Sequence, residues 1–216
     1  MRCHGLPSVR SAPAQAQCLR AFAIYGLPTC IRSDNGTPFG AAGLAGLSRL
    51  AVWWIRLGIR PERITPGCPG QNGAHEQFHR VLAAETTRPP AATLAAQQRR
   101  FHQFLDGYNR DRPHAALHNV PPATVYTPSS RPLPRRLPPL EYAAGHEVRR
   151  VLPDGQIKWR GRRVYLTRAL IGQDVALEAI ADGRWLVRFA AIPIGHYDER
   201  RGRLRTGTEL LPMSSD

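Results

Sequence analysis

A proline-rich segment divides the chain into two parts with different hydrophobic patterns. Residues 128–139 carry five prolines and three arginines. Proline lacks a backbone donor and has a fixed φ, so this segment cannot be a helix or a central strand, and we expect an extended linker. We place the linker at residues 128–142, between a longer part at residues 14–127 and a shorter part at residues 143–200.

The longer part alternates apolar helices with short strands. Residues 13–25 predict a helix that ends at a Gly-then-Pro stop, and residues 29–34 predict a strand that ends on Asp34. Apolar residues that recur every three or four positions predict three more helices. These helices carry Leu44 to Leu57, Glu76 to Leu82 and Leu94 to Tyr108, and residues 61–65 predict a second short strand.

The shorter part reads as a small all-β domain. Pro153-Asp154-Gly155, Arg160-Gly161-Arg162 and Ala181-Asp182-Gly183 are turn signals between short runs rich in Val, Ile, Leu, Trp and Tyr. This pattern predicts a barrel-like domain with Trp159, Tyr165, Trp185 and Phe189 in its core. We expect residues 1–13 to lie outside the folded part and residues 201–216 to form a frayed tail.

The charge of the chain indicates a polyanionic partner. Thirty Lys and Arg residues face sixteen Asp and Glu residues, which leaves a net charge of +14. Basic and aromatic residues interleave on the short strands of the β domain, a pattern typical of nucleic-acid binding. The cations concerned are Arg149, Arg150, Lys158, Arg160 and Arg162. An ordinary solvated surface is the alternative interpretation of the same residues.

Neither a membrane segment nor a secretory signal is recognisable. No run of 18 or more apolar residues occurs, and residues 1–28 lack a basic start followed by an apolar block. The chain has four scattered cysteines with no C-x-x-C pair, which argues against a disulfide framework and a four-thiolate zinc site. We expect a cytoplasmic protein with no membrane partner.

The string His75-Glu76-Gln77-Phe78-His79 has the form of a zinc metalloprotease motif. Such a site needs both histidines on one helix face and a third protein ligand, so that water can take the fourth zinc position. No third histidine follows at the longer spacing, where Leu82 and Glu85 stand instead. A zinc hydrolase is therefore the third hypothesis for this chain.

Two carboxylates offer a different chemistry. Asp34 ends a predicted strand, and Glu76 lies in the first turn of a predicted helix. Carboxylates on adjacent elements can share divalent cations, as phosphoryl transfer requires. The alternative is that Asp34 caps a turn and Glu76 interacts with the helix N-terminus. Both interpretations fit these residues equally well.

Three segments resemble the catalytic core of integrase-type insertion-sequence transposases. They are IRSDNGTPF, PGCPGQNGAHEQFHRVLAAE and YNRDRPHAAL, in that order, and the resemblance covers roughly residues 14–127. It implies an RNase H-like α/β core, here partial, followed by the small barrel-like β domain. It also implies an Asp-Asp-Glu triad that binds Mg²⁺ (or Mn²⁺), with Asp34 as the second carboxylate and Glu76 as the third.

The resemblance further implies residues that face DNA. In the core they are Asn72, Gly73, Arg80, Arg112 and His114. The basic β domain resembles, less specifically, the small C-terminal domain attached to such transposases, which implies phosphate contacts for its five cations. The expected partners are transposon-end and target DNA, together with another copy of this chain or a full-length transposase.

Two departures from the family pattern affect the expected activity. Gln77 stands where the family usually has arginine, and residues 1–33 contain no Asp or Glu that could serve as the first triad carboxylate. We therefore expect an N-terminally truncated Mg²⁺-dependent DNA transposase that is inactive alone and binds metal unproductively. A non-catalytic DNA-binding remnant is the alternative. With two strands instead of five, the core should also leave Trp53 or Trp54 exposed.

Overall fold

The computed structural model describes residues 1–6, 8, 10–65, 70 and 73–205 of the chain. The chain forms two compact units, each built from two separate stretches. We call the first the helical unit (Met1–Gly26 and Cys68–Pro132) and the second the mixed unit (Leu27–Gly67 and Leu133–Asp216). Predictions made for Cys68 and Asn72 fall outside the described residues.

The helices and strands follow the predicted order. The helices are α1 (Ser11–Tyr25), α2 (Arg49–Arg56), α3 (Gly73–Thr86), α4 (Leu94–Arg110) and α5 (Pro122–Val125). The strands are β1 (Cys30–Ser33), β2 (Arg60–Arg63), β3 (Glu147–Arg150), β4 (Gln156–Trp159), β5 (Arg162–Tyr165), β6 (Asp174–Ala181), β7 (Arg184–Phe189), β8 (Ile192–Asp198) and β9 (Arg203–Arg205). Short 3-10 helices span Leu44–Gly46, Ala115–Leu117 and Arg168–Leu170.

The core of the helical unit lies between α3 and α4. Phe78, Leu82 and Leu105 are buried, and their spacing places them on the facing sides of the two helices. The rings of Phe104 and Tyr108 pack around Phe78, with 5.3 Å between the centroids of Phe78 and Tyr108. An aromatic cluster therefore holds α3, which carries Glu76, against α4.

The segment before α1 also contacts α4. The backbone N–H of Gly5 donates to the side-chain oxygen of Gln98 at 3.0 Å, and the side-chain amide of Gln98 donates to the carbonyl of Cys3 at 3.1 Å. One glutamine on α4 thus binds two backbone groups of residues 1–6. Among the described residues, Cys3, Cys18 and Cys30 form no disulfide bond.

In the mixed unit, β1 and β2 form a parallel pair with Cys30 opposite Arg60, and α2 lies between them in the chain. The predicted helix from Leu44 to Leu57 is shorter in the structure. Ala45 and Gly46 have positive φ, which interrupts the helix, and the Ser48 hydroxyl accepts a hydrogen bond from the N–H of Ala51 as the N-cap of α2.

The C-terminal part of the mixed unit is all-β, as predicted. A five-stranded antiparallel sheet runs in the order β3-β6-β7-β8-β9, and β4 and β5 form a separate hairpin. Trp159, Trp185 and Phe189 are buried in its core, as expected. The same prediction was wrong for Tyr165, which is 55% exposed. Alternation along β5 directs Val164 inward and Tyr165 outward.

The apolar face of α2 is covered by this β domain. Leu47, Val52 and Ile55 belong to the same buried cluster as Trp159 and Val187. The expectation that α2 leaves its tryptophans exposed was wrong, because Trp54 is only 1% exposed and Trp53 is half-buried. The sheet strands supply the apolar surface that β1 and β2 lack. No helix of the described residues has the length and apolar character needed to cross a membrane.

We expect Leu47→Ala to lower the free energy of unfolding of the mixed unit by about 2–5 kcal/mol, since Leu47 is 1% exposed in the shared cluster. Urea unfolding followed by tryptophan fluorescence measures this change. Leu137→Ala is the matched control, because Leu137 in the same unit is 41% exposed and its truncation should cost about 0.5 kcal/mol or less. Equal losses for the two variants would contradict the shared core.

Candidate functional site

Asp34 lies directly after β1 in an exposed loop. One of its carboxylate oxygens accepts a hydrogen bond from the N–H of Gly36 at 3.0 Å, which makes a local Asx turn. The side-chain amide of the next residue, Asn35, donates to the carbonyl of Ile64 at 3.0 Å, just beyond β2. The ends of both parallel strands are therefore joined beside Asp34, which is exposed and makes no ion pair with a described residue.

Glu76 lies in the first turn of α3, where a negative charge interacts favourably with the helix dipole, and it is exposed. Glu76 belongs to the helical unit and Asp34 to the mixed unit. The joint metal site of the two carboxylates stays a prediction. Among the described residues, no three His, Cys, Asp or Glu side chains come together in a way that could hold a metal ion.

His75 and His79 contact each other on the exposed side of α3. Their Nε2 atoms are 3.0 Å apart and their ring centroids are 4.3 Å apart, so one ring can donate a hydrogen bond to the other. Partial burial of its ring lowers the pKa of His79, and the neighbouring His75 lowers it further. A zinc hydrolase needs a third protein ligand, which the described residues do not bring to this pair.

Arg112 and His114, predicted to face DNA, make contacts within the helical unit. The Arg112 guanidinium lies 2.8 Å from the carboxylate of Glu85 at the end of α3. The His114 ring packs edge-on against Tyr108, with 4.5 Å between centroids. These contacts fix the segment after α4 against α3 and α4. A DNA contact for either residue stays a prediction, as it does for Gly73, the first residue of α3.

Most of the basic side chains predicted to bind phosphate in the β domain are paired with acidic ones. Arg149 lies 2.5 Å from the carboxylate of Glu147, and Arg150 lies 3.0 Å from that of Asp174. By contrast, Lys158 is exposed and has no polar partner in the described part of the chain. The same is true of Arg80 on α3.

Glu199, just beyond β8, is the centre of a second paired cluster. Its carboxylate lies 3.2 Å from the Arg160 guanidinium and accepts a hydrogen bond from the indole N–H of Trp185 at 3.0 Å. Its backbone carbonyl accepts from Arg162 at 3.1 Å. Arg160 also stacks over Trp185, 4.8 Å from the ring centroid. Two of the predicted phosphate ligands are therefore held by one residue.

Sequence reasoning missed Glu147, Asp174 and Glu199 as partners of these cations. Within residues 148–168 the only acidic residue is Asp154, and these three lie outside that stretch. Asp174 stands opposite Arg150 in the β3–β6 register, and Glu199 follows a strand of the same sheet. The fold brings Asp174 and Glu199 to their arginines from distant positions, and the local sequence carries no signal of these two pairs. Glu147 differs, because it lies two positions before Arg149 on the same face of one strand.

Two family models match the chain. The integrase core domain matches residues 57–122, and the C-terminal domain of IS481 family transposases matches residues 146–204. The Insertion element IS476 uncharacterized 39.2 kDa protein of Xanthomonas euvesicatoria is 33% identical over 111 residues, which are 50% of this chain and 29% of that protein. The chain thus spans less than a third of the length of this curated relative.

Among solved structures, a chain of the simian T-cell lymphotropic virus intasome in complex with PP2A regulatory subunit B56 gamma is similar. The TM-score is 0.43 at 17% identity, and the match covers 96% of this chain and 65% of that chain. The family assignment rests on the two domain models and the insertion-element relative.

An integrase core domain followed by a transposase C-terminal domain defines a class of DNA-recombining proteins. This chain carries both domains, and its resemblance to integrase-core insertion-sequence transposases is confirmed at that level. The predicted family, mixed α/β core and C-terminal β domain are confirmed. Proteins with this core bind DNA and generally use divalent metals.

We expect Glu199→Gln to strengthen DNA binding, because it weakens the hold on Arg160 and leaves that guanidinium available to a phosphate. One additional phosphate contact should tighten binding roughly threefold to tenfold at moderate salt. Fluorescence anisotropy with a labelled duplex oligonucleotide measures the affinity. Glu141→Gln makes the same charge change at an exposed position of the same unit. If both variants bind equally tightly, net charge alone explains the effect.

We expect NMR titration to give His79 a pKa below the ordinary value of 6.5, because burial and then His75 disfavour the charged ring. Because the folded-state pKa is depressed, the contribution of the neutral His79 ring to the free energy of unfolding is fully present above about pH 6.5. It is lost as the pH falls through that value towards the folded-state pKa. His75→Gln should raise the pKa of His79 part of the way back. No change on this substitution would contradict coupling between the rings.

Proposed function

We propose that this chain acts in DNA transposition, binding DNA and contributing Asp34 and Glu76 as two carboxylates of a strand-transfer site. The observation that carries the proposal is the succession of an integrase core domain and a basic transposase C-terminal domain in one chain of net charge +14. Lys158 and Arg80, exposed and without polar partners in the described residues, are the simplest phosphate contacts among the predicted set.

The carboxylates limit what the chain can do alone. Divalent cations such as Mg²⁺ or Mn²⁺, when bound in sites of this class, activate the attacking oxygen and stabilise the leaving one. Residues 1–33 contain no carboxylate, and no cluster of three metal-capable side chains occurs in the described residues. Two carboxylates neutralise too little charge to hold a pair of dications. The residues present therefore do not fit a complete two-metal site.

Because two carboxylates are too few for a two-metal site, we also propose a second function, that of a non-catalytic DNA-binding protein. In this role the chain would occupy transposon ends or assemble with a full-length transposase. Its basic surface would then act without metal chemistry. Asp34 would have only a structural role, in which its carboxylate accepts the hydrogen bond from Gly36 that forms the turn. The two functions share DNA binding and differ in whether this chain cuts DNA.

Two assays on the full chain test DNA binding and DNA cutting, and only Asp34-dependent nicking would favour the strand-transfer function over the non-catalytic one. Binding to a fluorescein-labelled duplex should weaken steeply as salt rises, because counterions return to the phosphates. A salt-independent affinity would contradict DNA as the partner. In the second assay, the chain is incubated with supercoiled plasmid and Mg²⁺ or Mn²⁺, and we expect no nicking by the chain alone.

Asp34→Asn and Asp106→Asn are the matched pair for the nicking assay, since both remove one exposed carboxylate and Asp106, on α4, is not a predicted metal ligand. Nicking that Asp34→Asn abolishes and Asp106→Asn spares would show that the chain cuts DNA by itself. Nicking that survives Asp34→Asn would instead remove Asp34 from the site.

A further inference from the structure

A groove on the mixed unit contains arginines that have no acidic partner among the residues that the structure describes. It lies between α2 and the 3-10 helix Arg168–Leu170 and encloses a cavity of about 350 Å³. We call it the α2 groove and define it by Arg49, Trp53, Arg56 and Arg168, which line it together with apolar residues. All of these residues belong to the mixed unit.

No ion pair within the described residues neutralises the positive charge of this groove. Arg49 and Arg168 are exposed and make no ion pair with any described residue. Arg56 is half-buried and donates to the side-chain oxygen of Gln173 at 2.8 Å and to the carbonyl of Pro138 at 2.6 Å. Both of these acceptors are uncharged. Three guanidinium charges therefore line one cavity without a carboxylate among the groove's residues.

The arginines of the neighbouring β strands differ in this respect. To reach a phosphate, Arg149, Arg150 or Arg160 must loosen contacts with carboxylates at 2.5 to 3.2 Å. The free energy lost when these ion pairs are broken offsets part of the free energy gained by binding a phosphate. The groove arginines have no such contact to break, and Arg56 is already held in place by its two neutral acceptors. The binding free energy of an anion should therefore be more favourable in the α2 groove than at the ion-paired arginines of the β strands.

The lining also indicates which anion fits. Guanidinium groups match phosphate oxygens in geometry as well as in charge. Trp53 and Val52 add an apolar wall against which a sugar or a base face can pack. The cavity lies at the lower end of the size range of small-ligand sites, which suits one or two nucleotides of a strand. The ligand chemistry is thus that of a nucleic-acid strand.

We propose that the α2 groove binds the phosphate backbone of a DNA strand, with Arg49 and Arg168 as direct phosphate ligands and Arg56 as a pre-positioned cation between them. This inference rests on the proposed DNA-binding function and adds a surface that the basic strands of the β domain do not include. Trp53 provides the apolar contact beside the phosphates.

The test compares two double variants of the full chain by the salt dependence of its affinity for a fluorescein-labelled duplex. R49Q/R168Q removes two unpaired guanidiniums of the groove. R163Q/R200Q is the matched control, because Arg163 and Arg200 are exposed, belong to the same unit and are ion-paired with Asp154 and Asp182. Both variants remove two positive charges, so they change the long-range field equally.

If the α2 groove binds phosphate, the slope of log affinity against log salt should differ between the two variants. R49Q/R168Q should lower the slope of log affinity against log salt by about two and weaken binding about tenfold or more at moderate salt. R163Q/R200Q should leave the slope nearly unchanged. Equal changes in the two variants would overturn the groove as a phosphate site. If the unsubstituted chain shows no salt-dependent binding, the proposed function itself fails.

Two further variants keep the result interpretable. R49K/R168K retains the charges without the planar fork, so it should recover most of the slope and only part of the affinity. Trp53→Leu should weaken binding about fivefold or more while leaving the slope unchanged, because it removes packing and no phosphate contact. Far-ultraviolet circular dichroism and urea midpoints compare the folding of all variants. A slope that stays low in R49K/R168K would contradict a charge-based contact.

Discussion

The packing of α2 against the C-terminal sheet is the interaction on which the mixed unit depends. The parallel pair β1–β2 is too small to bury the apolar face of a helix. Val52 and Ile55 instead share one buried cluster with Val187 and other residues of the sheet. Because the cost of closing a loop grows slowly with its length, strands more than a hundred positions away can complete this core. The loop that carries Asp34 therefore belongs to a unit with an extended buried core.

Ion pairing determines how much of the net charge remains for a partner. The charge of +14 favours a polyanionic partner, yet it does not say which cations are available to contact it. Glu147, Asp174 and Glu199 hold the guanidiniums of the sheet, whereas those of the α2 groove have neutral acceptors or solvent. The residues that create the positive field of the molecule and the residues proposed to contact phosphate are therefore different sets.

The local elements could be predicted from sequence, and so could the place of each candidate carboxylate within them. Asp34 follows β1 and Glu76 lies in the first turn of α3, as the strand and helix patterns predict. The predictions that were wrong concerned backbone conformation or the direction of a side chain. The helix from Leu44 is broken by positive φ at Gly46, and Tyr165 faces solvent because of the pleat of β5. Whether the two carboxylates share a metal depends on contacts between distant segments, which periodicity does not report.

The sequence by itself determined the resemblance to integrase-core transposases, the order of helices and strands, the turns and the net positive charge. These properties depend on short-range spacing and on composition, which survive without any long-range contact. Only the tertiary structure decided that Trp54 is buried, that Arg150 meets Asp174 and that Arg56 is held by neutral oxygens. The physical reason is that burial and ion pairing are properties of neighbours in space, and strand pairing brings those neighbours from distant parts of the chain.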